Sequence, residues 1–358
     1  MQDVAAAQPA ESGPVVSGAV ASAVAEGQAA IMAMERAAWR YTALRALVSV
    51  GCPEQLRGGP LGVTELAERC GAHALTLHRL LRSAAQTGLV RSVPPDAYEL
   101  TEAGLALLEG RSALTLRYNA DPEIWGGFGE LTETVRTGKA PFLLRNGNVY
   151  RYLADRPALS AVFDQLMEAN LGPLAASLAK AGVFSGAGTV VDVGGGKGTF
   201  LAAILHANPG MRGILLELER VVPAAREYLA ASGAGDRCEF VAGDFFTTMP
   251  AGADAYFVAH VIHNWDDERA VALLRKIRAA IPDHGRLLIL EQPLPDDDSP
   301  HLGKDLDIRM LTVQYGRERS HGEYSALLAA AGFAPGEVIE LHRDECLITA
   351  FPVAGEHA

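Results

Sequence analysis

The spacing of apolar residues changes once along the chain, near residue 189. Before that point the pattern is helical. From about Ala21 to Val50 the sequence is rich in Ala, Met and Leu, and Ile31, Met34, Ala38 and Tyr41 recur at intervals of three and four, which predicts helices with an apolar face that needs covering. Thr64 is placed to cap TELAERCG and Gly71 to end it, giving one short helix. LTLHRLLRSAAQTGLV then lines up Leu77, Leu80, Leu81 and Ala84 and stops at Gly88. Leu89 to Leu100 splits into two strand-like pieces around Pro94, Pro95 and Asp96, which predicts a hairpin. Helix, helix and hairpin together predict a winged helix-turn-helix module over 21–115.

Residues 116–185 read as a mainly helical connector carrying Trp125, Phe128, Phe142, Tyr150, Tyr152, Phe163 and Met167. Any one of these side chains is ordinary core; as a group they can wall an apolar pocket, with Phe163 and Met167 as its candidates. From Thr189 onward short β-branched runs take over. TVVDV, GILLEL, CEFVAG, AYFVAH and RLLILE alternate with helix-like stretches such as FLAAILHA and RAVALLRKIRAAI, which predicts a parallel sheet with helices on both faces over 186–358. EVIELHR and ECLITAFPV, separated by a charged turn at Asp344, predict a closing antiparallel hairpin.

Charge and composition narrow the function classes. A net charge of -12 disfavours a polyanionic partner, since phosphate binding draws its affinity from Lys and Arg. The helix that would enter a DNA groove offers only His78, Arg79 and Arg82, so the winged helix reads as a structural module rather than a nucleic-acid reader. Cys52, Cys70, Cys238 and Cys346 have no disulfide or zinc spacing, which suits a reducing cytosol and a cytoplasmic protein. The first twenty residues lack a basic start, contain Pro9 and Pro14, and read as a disordered tail. No apolar run reaches the ~20 residues needed to cross a bilayer, and no compact oxygen cage for a metal is legible.

The densest chemical signal is a buried strand, Val190-Val191-Asp192-Val193, running into Gly194-Gly195-Gly196-Lys197-Gly198 ahead of a helix. Glycines there permit tight turns and a close approach of a ligand to the backbone. The third glycine of a dinucleotide fingerprint is missing, because Thr199 stands in its place, and no GK[ST] triplet supports a P-loop. Successive strand ends add carboxylates. Glu217 lies nineteen residues past Gly198, suited to ribose hydroxyls, and Asp244 and Phe245 are suited to the edge and face of an adenine.

With DVGGGKG, GDFF, HNWDDE, LLILEQPLP, DIRML and GRERS in this order, the chain resembles the plant caffeic-acid-type and bacterial natural-product O-methyltransferases from about Gln28 to its end. The resemblance implies a Rossmann-like class I methyltransferase domain behind a dimerising, mainly helical winged-helix domain, hence a homodimer. It implies S-adenosylmethionine at Asp192, Gly194, Gly196, Glu217, Asp244 and Phe245, with Trp265 beside the adenine, S-adenosylhomocysteine as product, and no metal. It also implies His263 as general base, flanked by Glu291 and Glu318. At an unperturbed pKa of ~6.5 such a histidine is largely neutral and can take a phenolic proton. The implied substrate is a small hydroxylated aromatic of secondary metabolism.

Two departures stand out: Asn264, where many relatives carry aspartate, and Glu219, where proline is common. Two alternatives stay open at this level. Some relatives use the same cofactor for hydroxylation or pericyclic chemistry, and N- or C-methylation uses the same fold. From another class, a winged helix can belong to a ligand-responsive transcription regulator.

Overall fold

Glycines and caps set the element boundaries. A computed structural model describes residues 18–354 except residue 343, and the chain divides into two compact units, one ending at Glu109 and the other beginning at Gly110. Most of the tail expected at 1–20 lies outside the described residues, but Gly18 to Val20 already belong to the first helix.

In the first unit, α1 is a single helix, Gly18–Ser49. It is followed by the short α2 (Cys52–Gln55), strand β1 (Leu61–Gly62), α3 (Val63–Cys70), α4 (Ala74–Ala85) and strands β2 (Val90–Val93) and β3 (Ala97–Leu100). The strands form an antiparallel sheet in the order β1-β3-β2. Leu66, Leu77, Leu81 and Ala84 supply the buried faces of α3 and α4. Gly71, at φ 60°, ends α3 in the left-handed region that favours glycine. The expectation for Thr64 needs correction: Gly62 is the N-cap and Thr64 lies inside the helix, because the chain leaves β1 only one residue earlier and cannot stay extended as far as Thr64.

The second unit takes in the segment read as a connector. It opens with α5 (Gly110–Asn119), α6 (Pro122–Gly129), α7 (Leu131–Thr137), α8 (Pro141–Asn146), α9 (Val149–Ala154) and the long α10 (Pro157–Lys180). The sheet strands follow: β4 (Thr189–Val193), β5 (Arg212–Glu217), β6 (Cys238–Ala242), β7 (Ala255–Ala259), β8 (Arg286–Glu291), β9 (Phe333–Glu340) and β10 (Cys346–Pro352). Helices α11 (Thr199–Ala207), α12 (Val222–Ala231), α13 (Asp267–Ala280), α14 (Leu302–Val313) and α15 (His321–Ala330) connect them.

Seven strands form one sheet in the order β6-β5-β4-β7-β8-β10-β9. The first five are parallel, and β10 runs antiparallel between β8 and β9. This is the class I methyltransferase architecture with a mainly helical N-terminal region. Alternating side chains feed two cores. Val191, Tyr256, Val258 and Ile289 pack against α13 and α15, while Val190, Phe257, Leu288 and Leu290 pack against α10 and α11. Strand order reverses between β4 and β7, and at such a switch point the carboxyl ends of the strands diverge and leave a crevice.

Candidate active site

The carboxyl end of β4 enters the glycine turn at that crevice. Gly194 and Gly196 have φ values of 70° and 58°, which side-chain-bearing residues rarely adopt. A Cβ on Gly195 would lie 2.2 Å from an Asp192 carboxylate oxygen, so the turn folds directly over that side chain. Asp192 is fully buried, and neither of its oxygens has a hydrogen-bond partner among the described residues. Burial, with the negative charge of Glu217, pushes its carboxyl up to about 8.

Glu217 ends β5 and accepts hydrogen bonds from the Gly196 N–H at 3.0 Å and the Leu218 N–H at 2.7 Å. Asp244 follows β6; one of its oxygens accepts from the Phe246 N–H at 2.9 Å, and the other makes no hydrogen bond among the described residues. The Phe245 and Trp265 rings stand 6.1 Å apart and nearly perpendicular. Phe246, which the sequence reading passed over, lies closer to Trp265, at 4.9 Å. The turn is thus ringed by acidic groups and aromatic edges. A phosphate would meet the carboxylates of Asp192 and Glu217, whereas a ligand with a cationic group, hydroxyls and a flat heterocycle fits them.

Three buried glutamates and two half-buried histidines meet beyond the next strand. β7 is followed by His260, whose φ of 52° turns the chain into the short helical turn Ile262–Asn264. His263 Nδ1 lies 2.9 Å from Glu318 Oε1 and 3.6 Å from Glu291 Oε2. The His263 backbone N–H donates to the other Glu291 oxygen at 3.2 Å. Burial alone would depress the imidazole, but the carboxylates of Glu291 and Glu318 outweigh it and push His263 up to about 9. This corrects the expectation of a largely neutral histidine: without a counteracting cation the ring holds its proton at neutral pH. Burial pushes Glu291 up to about 7 and Glu345 up to about 8.

Sequence reasoning missed the residues that hold this arrangement. His260 Nε2 lies 3.5 Å from Glu345, which arrives from the β9–β10 turn, and burial drives His260 down to about 3. His260, His263 and Glu291 bring three possible metal-ligand atoms within 4.8 Å of one another, a grouping not anticipated from spacing. Arg319 is fully buried; its guanidinium donates to the carbonyls of Ile262 and Trp265 and to Asp267, fastening the turn that carries His263. An arginine beside a charged glutamate reads as surface, so no sequence signal marks it. Asn264 donates to the His260 carbonyl at 2.8 Å. Glu219 is exposed, and nothing in the structure explains its departure from proline.

Phe163 and Met167, four residues apart on α10, are half-buried against a cluster that includes Tyr118 and Ile124. The Phe163 ring lies 5.5 Å from Tyr118 and 6.2 Å from Tyr150. Tyr150 is 36 % exposed, yet burial is the main cause that pushes its hydroxyl up to about 12. Tyr150 is thus partly open to solvent at the end of this run of aromatic rings.

Comparison with known proteins places this geometry. The O-methyltransferase domain model matches residues 128–334. The mitomycin biosynthesis 6-O-methyltransferase of Streptomyces lavendulae is 38 % identical over 321 residues, covering 86 % of this chain and 92 % of that protein. The solved structure of the mitomycin 7-O-methyltransferase MmcR superposes with a TM-score of 0.87 at 35 % identity, over 93 % of this chain and 100 % of that one. NcsB1, an O-methyltransferase from neocarzinostatin biosynthesis solved with S-adenosylmethionine and 2-hydroxy-5-methyl naphthoic acid, matches with a TM-score of 0.77 at 32 % identity over 88 % of this chain and 96 % of that one. A glycine turn ringed by carboxylates, on a sheet shared with enzymes of this kind, leads to one conclusion: the chain belongs to the S-adenosylmethionine-dependent O-methyltransferase family.

Proposed function

We propose that this O-methyltransferase methylates a hydroxyl of a small aromatic acceptor from secondary metabolism, with His263 as general base. The observation that carries the reading is an imidazole held by two buried carboxylates beside the glycine turn. The hydroxylated naphthoic acid seen with NcsB1 supports the aromatic class.

When bound, S-adenosylmethionine supplies an activated methyl group on a sulfonium. The protein's tasks are then proximity and proton removal. Asp192 offers an unpaired carboxylate to the cofactor's cationic end, Gly194 and Gly196 leave room for it, and Glu217 has lone pairs left for ribose hydroxyls. The free oxygen of Asp244 suits an exocyclic amine, and Phe245 and Trp265 suit the heterocycle beside it. Glu318 accepts from Nδ1 and so fixes the tautomer that leaves Nε2 free to take the acceptor's proton; Glu291 and Glu318 stabilise the imidazolium that results. A cationic ligand beside the ring opposes the imidazolium and favours the neutral base. Phe163 and Met167 wall the acceptor. The grouping of His260, His263 and Glu291 is assigned to this hydrogen-bonded cluster rather than to a metal, because Nδ1 already faces Glu318 at 2.9 Å.

The N-terminal unit is assigned as a winged-helix module of a homodimer in a cytoplasmic enzyme. Helices α3 and α4 with a three-stranded sheet support the first part. The bare face of α1 supports the second, with Ile31 67 % and Met34 66 % exposed. No described helix is long and apolar enough to cross a membrane.

The test is S-adenosylhomocysteine formation with a panel of phenols. His263→Ala is expected to lose about 10²–10⁴-fold in rate while keeping cofactor affinity, with a smaller deficit for phenols of lower pKa. Wild-type turnover of a high-pKa phenol by His263→Ala at neutral pH would remove the base assignment.

A further inference from the structure

Among the described residues, one grouping brings metal-ligating side chains together: His260, His263 and Glu291 each place a ligand atom within 4.8 Å of the other two. Nδ1 of His260 and Nδ1 of His263 approach the same Glu291 oxygen, Oε2, at 3.9 and 3.6 Å. That oxygen is buried and has no hydrogen-bond partner among the described residues. The hydrogen bonds of the cluster run to Glu291 Oε1 and Glu318 Oε1 and leave Glu291 Oε2 over. Oε2 of Glu318, which faces His263, and Oε2 of Glu345, which faces His260, are likewise buried without a partner. Carboxylate oxygens withdrawn from water and left unpaired are costly, so the cluster is short of a cation.

The donor set says which cation fits. Two imidazole nitrogens and a carboxylate oxygen suit zinc and its first-row neighbours, whereas magnesium and calcium call for oxygens throughout. In a tetrahedral site with bonds of ~2.0–2.2 Å, neighbouring ligand atoms stand about 3.4 Å apart. The observed 3.6 and 3.9 Å need only small side-chain adjustments to reach that spacing. Burial drives His260 down to about 3 and so keeps it neutral, the form that ligates. Neither ring is sealed: the His260 and His263 side chains are 24 % and 14 % exposed, which gives an ion a way in.

We propose that His260, His263 and Glu291 form a binding site for a divalent transition ion of the zinc type, and that the ion is an inhibitor rather than a cofactor. The metal-free, hydrogen-bonded cluster is the working state. In the imidazolium both ring nitrogens of His263 carry protons. Zinc takes the Nδ1 lone pair, the proton held there leaves to the buffer, and the proton on Nε2 stays. Nε2 is the nitrogen assigned to the acceptor's proton, so the metallated ring is no longer a base. The site stands on its own geometry, while the inhibition rests on the reading of His263 as general base.

Zinc chloride titrated calorimetrically into the untagged, S-adenosylhomocysteine-loaded enzyme is expected to bind one ion per chain, while magnesium chloride gives no binding heat. Zinc-edge X-ray absorption of that complex should show two imidazole ligands and no sulfur. In His260→Gln the zinc affinity should fall by about 100-fold, since loss of an outer-shell partner already costs about 10- to 100-fold. No stoichiometric binding, a sulfur ligand at ~2.3 Å, or undiminished affinity in His260→Gln overturns the site. The absorption spectrum is taken on the wild type, so it decides even if the variant fails to fold. Turnover of a non-chelating monophenol is scored separately. Zinc should suppress S-adenosylhomocysteine formation with an inhibition constant that matches the calorimetric one, and EDTA should restore it. Loss of activity on adding EDTA to the enzyme without zinc would make the ion a cofactor and overturn the inhibitor. Zinc seated at the site with turnover intact sustains the site and removes His263 as the base.

Discussion

Two forces compete at His263. Burial favours the neutral ring, and the paired carboxylates favour the charged one and win, pushing it up to about 9. A general base works only when deprotonated, so kcat/KM for the acceptor should rise with pH through the titration of His263, which the bound sulfonium moves below its value in the cofactor-free protein. Glu318→Gln removes one of the two nearest negative charges. The inflection should then move to lower pH, while the plateau falls because the imidazolium formed in the reaction is less well stabilised. A pH–rate profile whose inflection does not move would show that Glu318 is not the partner that sets the basicity. Residue types at this site were legible as a motif, and Asp192, Glu217, His263, Glu291 and Glu318 all stand at the ends of strands or in the loops beside them. Their charge states were not legible, because burial and pairing across fifty-five residues of sequence, from His263 to Glu318, leave no local trace.

Among the elements, the five parallel strands fall almost where the β-branched runs put them, since all but the edge strand β6 are largely apolar on both faces and all are bounded by turns. Helix ends were less legible. Thr64 has the chemistry of a cap but not the position, because β1 and α3 follow one another without a loop. The loop from Gly316 to Arg319 was recognised as a motif, but its fit against the His263 turn was not. A Cβ on Gly316 would lie 1.9 Å from the His263 carbonyl oxygen and 2.4 Å from the Trp265 nitrogen. Backbone cannot swing aside as a flexible side chain can. Gly316→Ala should therefore push the two loops apart, at a cost of about 1–3 kcal/mol in stability and a larger proportional loss of turnover than of cofactor affinity. Thermal unfolding together with steady-state kinetics checks it; wild-type turnover in Gly316→Ala would mean that the two loops need not touch.

For the molecule as a whole, the apolar face of α1 was legible and its occupant was not, since a single chain does not reveal what covers it. Every residue from Ala19 to Trp39 is exposed, including Met32, Met34 and Trp39. A helix of that length leaves water when a second copy pairs with it. Sedimentation should give a dimer at micromolar concentration, and Ile31→Glu with Met34→Glu should shift it to a monomer without unfolding the second unit. A monomeric wild type would place this face against something other than its twin.

The sheet order carries one more consequence. The last strand in sequence, β10, is not an edge: it lies between β8 and β9, with Cys346 opposite Glu291 and Ala350 opposite Leu287. On the ribosome, β8 emerges more than fifty residues before its neighbour exists. Until β10 arrives, one flank of the strand bearing Glu291 has unsatisfied backbone donors and acceptors. The glycine turn can therefore form before β10 exists, whereas the strand bearing Glu291 gains its second neighbour only after β9 and β10 have followed, so the two halves of the proposed site are completed at different stages of synthesis.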